Sequence, residues 1–130
     1  PVSNRLIDIQ IEVSAQVLRR DETLTQNVIL KSQQLHMMPL AQVGIPPGFS
    51  VEKESLDQLV ASGAIEKYEV EPRYVNLYLR EIKAGGSTVF PIQMTALLPG
   101  KVQIPAASVY PYYEPESRST AAPMLITVQQ

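Results

Sequence analysis

The chain has 130 residues, 11 lysines and arginines against 13 aspartates and glutamates, 45% apolar residues, 11 prolines and no cysteine. That length fits a single domain, residues 1–130, with enough chain to bury a core. The composition excludes disulfides, thiolate metal sites and cysteine nucleophiles. A lone histidine, His36, excludes multi-histidine zinc sites, and a net charge of −2 with scattered cations offers no basic stripe for nucleic acid.

Residues 6–13 alternate, with Ile7, Ile9, Ile11 and Val13 on one side and Asp8, Gln10 and Glu12 on the other. That is the period of a half-buried strand. Arg19 to Glu22 reads as a polar turn, Thr23 to Lys31 as a second strand, and Met37 to Ile45 as a third with Pro39 marking an edge or bulge. Pro46-Pro47-Gly48 stops it. Over 55–62 the period changes: Leu56, Leu59 and Val60 form a helical stripe. Ser55 and Gln58 have capping-box spacing and Gly63 suits the position after the helix. Strands resume at 65–70, 75–79, 88–98, 107–113 and 124–128, separated by turns at Ala84-Gly85-Gly86-Ser87 and Pro99-Gly100. Many short strands with one short helix predict an all-β, antiparallel β-sandwich crossed by a helix at about 55–62.

No phosphate-loop, dinucleotide, nucleophile-elbow, zinc-protease or EF-hand pattern is present, and no cofactor or metal site is expected. His36 reads as a surface or loop residue, since a general base needs a substrate or nucleophile and an orienting partner. Glu69 and Glu71 read as a solvated strand face, and Glu114 and Glu116 flank Pro115 in a loop. Tyr110, Tyr112 and Tyr113 are the densest aromatic cluster; alternation puts the first two on one face and Tyr113 on the other, one face in the core. Met37 and Met38, as consecutive strand residues, read as one core and one exposed methionine. No apolar run approaches the ~20 residues of a membrane span. The first residues carry neither an initiator Met nor a signal-peptide pattern, so the sequence reads as a mature chain or an excised part of a longer one.

Four segments in order resemble the receptor-binding domain of the alpha-2-macroglobulin family. They are Ala41-Gln42-Val43-Gly44-Ile45-Pro46-Pro47-Gly48-Phe49, the helix Leu56 to Val60 with the strand Ala64 to Val70, Val75-Asn76-Leu77-Tyr78-Leu79, and Val109-Tyr110-Pro111-Tyr112-Tyr113-Glu114. In the last, Pro111 replaces the family's usual Asp. The resemblance covers about residues 40–128 and implies a non-catalytic β-sandwich at the C-terminus of a secreted or cell-envelope protease trap, of bacterial type. It implies packing against other domains of the parent chain, with a protein receptor as a further partner. The family's bait region and thioester lie outside this chain. In vertebrate members the receptor contact uses two lysines four apart around the helix; the first matches Lys53, whereas the second falls on Asp57. An exposed Lys53–Asp57 ion pair, i to i+4, is the expected arrangement if the helix includes Lys53. The alternative function is a stand-alone adhesion or carbohydrate-binding sandwich, which requires Tyr112 or Tyr113 to face solvent; the isolated domain is expected to be a monomer.

Overall fold

Strand β3 (Thr23–Lys31) organises one half of the domain. It pairs antiparallel with β1 (Asp8–Val13) on one side and β10 (Ser87–Ala96) on the other, and β10 continues to the short β6 (Phe49–Val51). The computed structural model describes residues 6–130; residues 1–5, read above for a leader pattern, lie outside the described residues. A five-stranded sheet faces this one, in the order β13 (Ser119–Ala121), β12 (Ala107–Pro111), β5 (Pro39–Gly44), β8 (Tyr74–Tyr78) and β7 (Lys67–Val70). Two smaller pairings complete the sandwich. In one, β11 (Gly100–Ile104) pairs with β14 (Met124–Gln129), which runs parallel to β2 (Val17–Arg19). In the other, β4 (His36–Met37) meets β9 (Glu81–Ile82). The all-β sandwich with one helix is the observed architecture.

The two large sheets close on one core. Leu24, Val28 and Leu30 of β3 and Phe90, Ile92, Met94 and Ala96 of β10 are buried with Ala41, Val43, Val75, Leu77 and Val109 of the facing sheet. Period-two alternation puts each set on one face of its strand. Gln26 is the polar member of this layer: its Nε2 donates across the sandwich to the Gly44 carbonyl at 2.8 Å and contacts Met94 Sδ at 3.3 Å. A Cβ at Gly44 would stand 2.5 Å from the Pro105 carbonyl oxygen, so the close approach there requires glycine.

Helix α1 (Lys53–Ala61) starts two residues earlier than predicted, and the reason lies in β10. Beyond Met94, β6 no longer covers that edge of β10. The Glu52 N–H donates to the Gln93 carbonyl at 2.8 Å, and the Gln93 N–H donates to Ser55 Oγ at 3.1 Å. The first turn of the helix thus takes the place of a strand, and Pro91, two residues along the same edge, needs no partner for an N–H it lacks. Ser55 is inside the helix, its Oγ donating to the Glu52 carbonyl at 2.8 Å, so the predicted capping box does not form. The other end follows expectation. Gly63 has φ +82°, its N–H donates to Val60 at 3.0 Å and the Ala64 N–H to Leu59 at 3.0 Å, a Schellman closure. Leu56 and Leu59 are the buried stripe.

The predicted strand Met37 to Ile45 is two strands. Met38 has φ +53° and the chain changes sheets there, leaving β4 against β9 and β5 against β8 and β12. Pro39 and Pro111 face each other where the β5–β12 ladder ends, two residues without donors at one rung.

Candidate functional site

The first candidate surface is that of helix α1. Lys53 stands at the start of α1, exposed. A cation there opposes the helix dipole, whereas Glu54 in the same turn favours it. Asp57 is one turn further on, but the ion pair expected between them does not form. Among the described residues the ion pairs within 4.0 Å are Arg20–Asp21 and Arg80–Glu66. Asp57 Oδ1 instead accepts the Tyr68 hydroxyl at 2.5 Å, tying β7 to the helix and raising the Tyr68 pKa, first through that hydrogen bond. The order of charges accounts for this: a cation placed N-terminal to an anion is the weaker i, i+4 arrangement, and a phenol on an anchored strand costs less side-chain entropy to fix than a lysine.

The second surface is the face of the five-stranded sheet turned away from the core. Opposed residues in the ladder share a face. Lys67, Tyr78, Leu40 and Tyr110 make one row across it; Glu69, Asn76, Gln42 and Ser108 make the next. Two cations lie over the aromatic rings. Lys67 Nζ is 4.6 Å from the Tyr78 ring centre, and the Arg118 guanidinium is 4.4 Å from that of Tyr110. Arg118 Nη1 also donates to Ser108 Oγ at 3.0 Å and Gln42 Oε1 at 3.3 Å. The Tyr78 hydroxyl donates to Glu69 Oε1 at 2.7 Å, which, with burial and neighbouring charges, pushes the phenol up to about 12. Asn76 Nδ2 donates to Glu71 Oε2. Glu69 and Glu71 are therefore engaged with β8 and not merely solvated, and only Glu69 lies within β7. Period-two spacing in a strand at 75–79 places Tyr78 and Asn76 on one face, whereas Lys67 and Arg118 carry no such signal, because nothing local shows which strands adjoin.

The tyrosine cluster differs from its predicted alternation. β12 ends at Pro111, and successive turns carry the chain from Tyr112 to Ser117, with Glu114 N–H donating to the Pro111 carbonyl at 2.9 Å and Ser117 N–H to Glu114 at 3.0 Å. Tyr112 and Tyr113 are 61% and 65% exposed, and half-buried Tyr110 belongs to the outer sheet face, so none of the three is a core residue. Glu114 accepts the Ser117 hydroxyl.

His36 is the opposite case. It is 4% exposed, inside β4 opposite Ile82, and neither ring nitrogen has a hydrogen-bond partner. It is a core residue, not the surface or loop residue expected. It has no nucleophile or orienting group at hand, so the geometry offers no acid–base machinery. Among the described residues no three histidine, aspartate or glutamate side chains are grouped to hold a metal ion, and no helix is long and apolar enough to cross a membrane.

Comparison with known proteins gives this architecture a family. A fragment of native Escherichia coli alpha-2-macroglobulin running from domain MG7 to the C-terminus superposes with a TM-score of 0.81 at 16% identity, over 98% of this chain and 24% of that one. Elastase-activated E. coli alpha-2-macroglobulin gives 0.80 at 17% identity, over 97% and 13%. A mutant of Salmonella alpha-2-macroglobulin gives 0.76 at 18% identity, over 96% and 9%. The chain therefore spans a quarter or less of these proteins, and at such identities they establish the fold alone. No curated protein sequence matches it. The family pattern described as the A-macroglobulin receptor binding domain does match, over residues 34–123, which takes in the helix, the outer sheet face and the tyrosine turn. The chain belongs to the A-macroglobulin receptor-binding domain family.

Proposed function

We propose that this chain is a non-catalytic C-terminal module of a macroglobulin-like protease trap, acting by packing against other domains of a much longer secreted or cell-envelope protein. The match over residues 34–123 is the observation that carries this reading. In such a trap the cleavable bait lies in another part of the chain, and this domain supplies rigid surface. Lys53 is the contact residue proposed for a protein partner: it is exposed, stands at the helix end where its charge is least favoured, and among the described residues has no carboxylate within 4.0 Å. With Asp57 bound to Tyr68 instead of a second lysine, a partner at Lys53 would meet one point charge and not two.

The test has two parts. The purified 130-residue chain is expected to be monomeric by light scattering and to leave protease digestion of a large protein substrate unaffected. Antibody raised to it is expected to detect a band many times its mass in the source organism. Protection of the substrate by the isolated chain would overturn the non-catalytic packing role. A band at its own mass would move weight to the second reading, an adhesion or carbohydrate-binding module, which the solvent-facing Tyr112 and Tyr113 favour. Glycan-induced quenching of tyrosine fluorescence, lost in Tyr112→Ala and Tyr113→Ala, is the result that second reading requires.

A further inference from the structure

The four methionines fall into two environments. Met94 is fully buried in β10 with Gln26 Nε2 against its sulfur, and Met124 is half-buried against the core. Met37 and Met38 are 46% and 57% exposed. Alternation along an unbroken strand would have hidden one of these two. Met37 faces out by alternation with buried His36 in β4, and the left-handed φ of +53° at Met38 interrupts that alternation and leaves Met38 exposed as well; such a conformation costs a residue bearing a Cβ about 1–2 kcal/mol. Both side chains border an open hollow of about 740 Å³, together with Pro39, Tyr78, Leu79 and Tyr112. Tyr112 is held in place by its N–H, which donates to the Met38 carbonyl at 3.1 Å. The Arg80–Glu66 ion pair also borders it.

We infer that the Met37–Met38 step is an oxidation site for small two-electron oxidants of the peroxide class, and that its oxidation turns the apolar methionine wall of this hollow polar, leaving the charged rim of Glu66, Lys67 and Arg80 as it is. A lone pair of each thioether attacks one oxygen of hydrogen peroxide. The S–O bond forms as the O–O bond breaks, and the departing hydroxide takes the proton of the transferred oxygen and leaves as water. Sulfur is oxidised by two electrons and the peroxide is reduced. Each sulfoxide adds a strong acceptor dipole where the wall was a soft apolar sulfur, which weakens contact with any apolar surface seated there. The change is reversible: a thiol-dependent sulfoxide reductase restores the thioether, two thiols becoming a disulfide as the oxygen leaves as water.

The experiment is hydrogen peroxide treatment of the folded 130-residue chain at neutral pH, followed in time by tandem mass spectrometry of its peptides. Met37 and Met38 are expected to gain oxygen within about threefold of their rate in denaturant, and Met94 at least about tenfold more slowly than in denaturant. Met94 or Met124 reacting as fast as the pair would overturn the site. The second readout is retention on a hydrophobic-interaction column. The oxidised chain is expected to elute earlier, whereas a Met37→Leu, Met38→Leu double variant, which keeps the apolar volume, is expected to elute unchanged after the same treatment. An equal shift in the variant would place the change elsewhere and defeat the inference.

Discussion

The two faces of the five-stranded sheet are made by the same strands and obey different rules. The inner face is Ala41, Val43, Val75, Leu77 and Val109, all buried, each interchangeable in chemistry with its neighbours and constrained by shape. The outer face is Tyr78, Tyr110, Gln42, Asn76 and Ser108, with Lys67 and Arg118 lying over the rings. Side chains of that face cover one another: Lys67 and Arg118 lie over the two rings, Arg118 reaches Ser108 and Gln42, and Glu71 meets Asn76. Asn76 and Ser108 are as hidden as core residues although they sit on the solvent side. The contrast teaches that one face is held by apolar packing and the other by hydrogen bonds and cation–aromatic contacts, so substitutions should separate cleanly.

The largest effects belong inside. Leu77→Ala is expected to destabilise the domain by about 3 kcal/mol in denaturant unfolding, since a fully buried leucine leaves a cavity in a packed layer. A loss under 1 kcal/mol would mean that the two sheets close up over the gap. Gly44→Ala tests shape alone, at a cost of about 2 kcal/mol. The added Cβ meets the backbone oxygen of Pro105 at 2.5 Å, which cannot swing away as a side chain would, while the carbonyl of residue 44 must still accept from Gln26. Unchanged stability would show that the 105 segment moves freely.

His36 sharpens the comparison because, outside the five-stranded sheet and in the β4–β9 pair, it is a polar residue as buried as the core. Two buried nitrogens without partners carry a desolvation cost that no hydrogen bond offsets. Replacement by leucine is therefore expected to keep or raise the unfolding free energy, by up to about 1 kcal/mol. A loss of more than that amount would reveal a partner, such as a bound water, holding the imidazole.

How much of this was legible in the sequence depends on distance along the chain. Val75 and Leu77, Ile92, Met94 and Ala96, the Leu56–Leu59 stripe and Gly63 after the helix were all readable, because period and turn chemistry are local. The change of sheet at Met38 was not, because its left-handed backbone arises from joining two ladders and no residue preference marks it. Helix α1 began early because β10 offered Gln93, 41 positions on from Glu52 (93 − 52), to its first turn. The burial of His36 and the place of Gln26 between sheets depend on the same long-range pairing. The candidate site was half visible: Lys53 and the tyrosines stood out as residue types, whereas Arg118, which reaches Gln42 from 76 residues away, had no sequence signal.

On the outer face the expected effects are smaller. Arg118→Ala removes a stacked guanidinium and two side-chain hydrogen bonds at the surface, and is expected to cost about 0.5–1 kcal/mol. A loss as large as that of Leu77→Ala would erase the distinction between the faces.

The smallest effect is also the most specific. Tyr78 donates to Glu69, and ionising the phenol would both lose that bond and set two anions side by side, so its pKa is raised from 10.0 to about 12. A raised pKa in the folded state stabilises the protein while the group stays protonated. That contribution is complete below pH 10, the unfolded value, and is lost as pH climbs towards 12. In an absorbance titration at alkaline pH, Glu69→Gln should move one phenol from about 12 back towards 10 and flatten the loss of stability across that window. The late phenol of Tyr68 should stay late, because it answers to Asp57 on the helix and not to the sheet face. If Glu69→Gln left the titration unchanged, the Tyr78 hydroxyl would be facing water, and the row of contacts that distinguishes the outer face would be shorter by one.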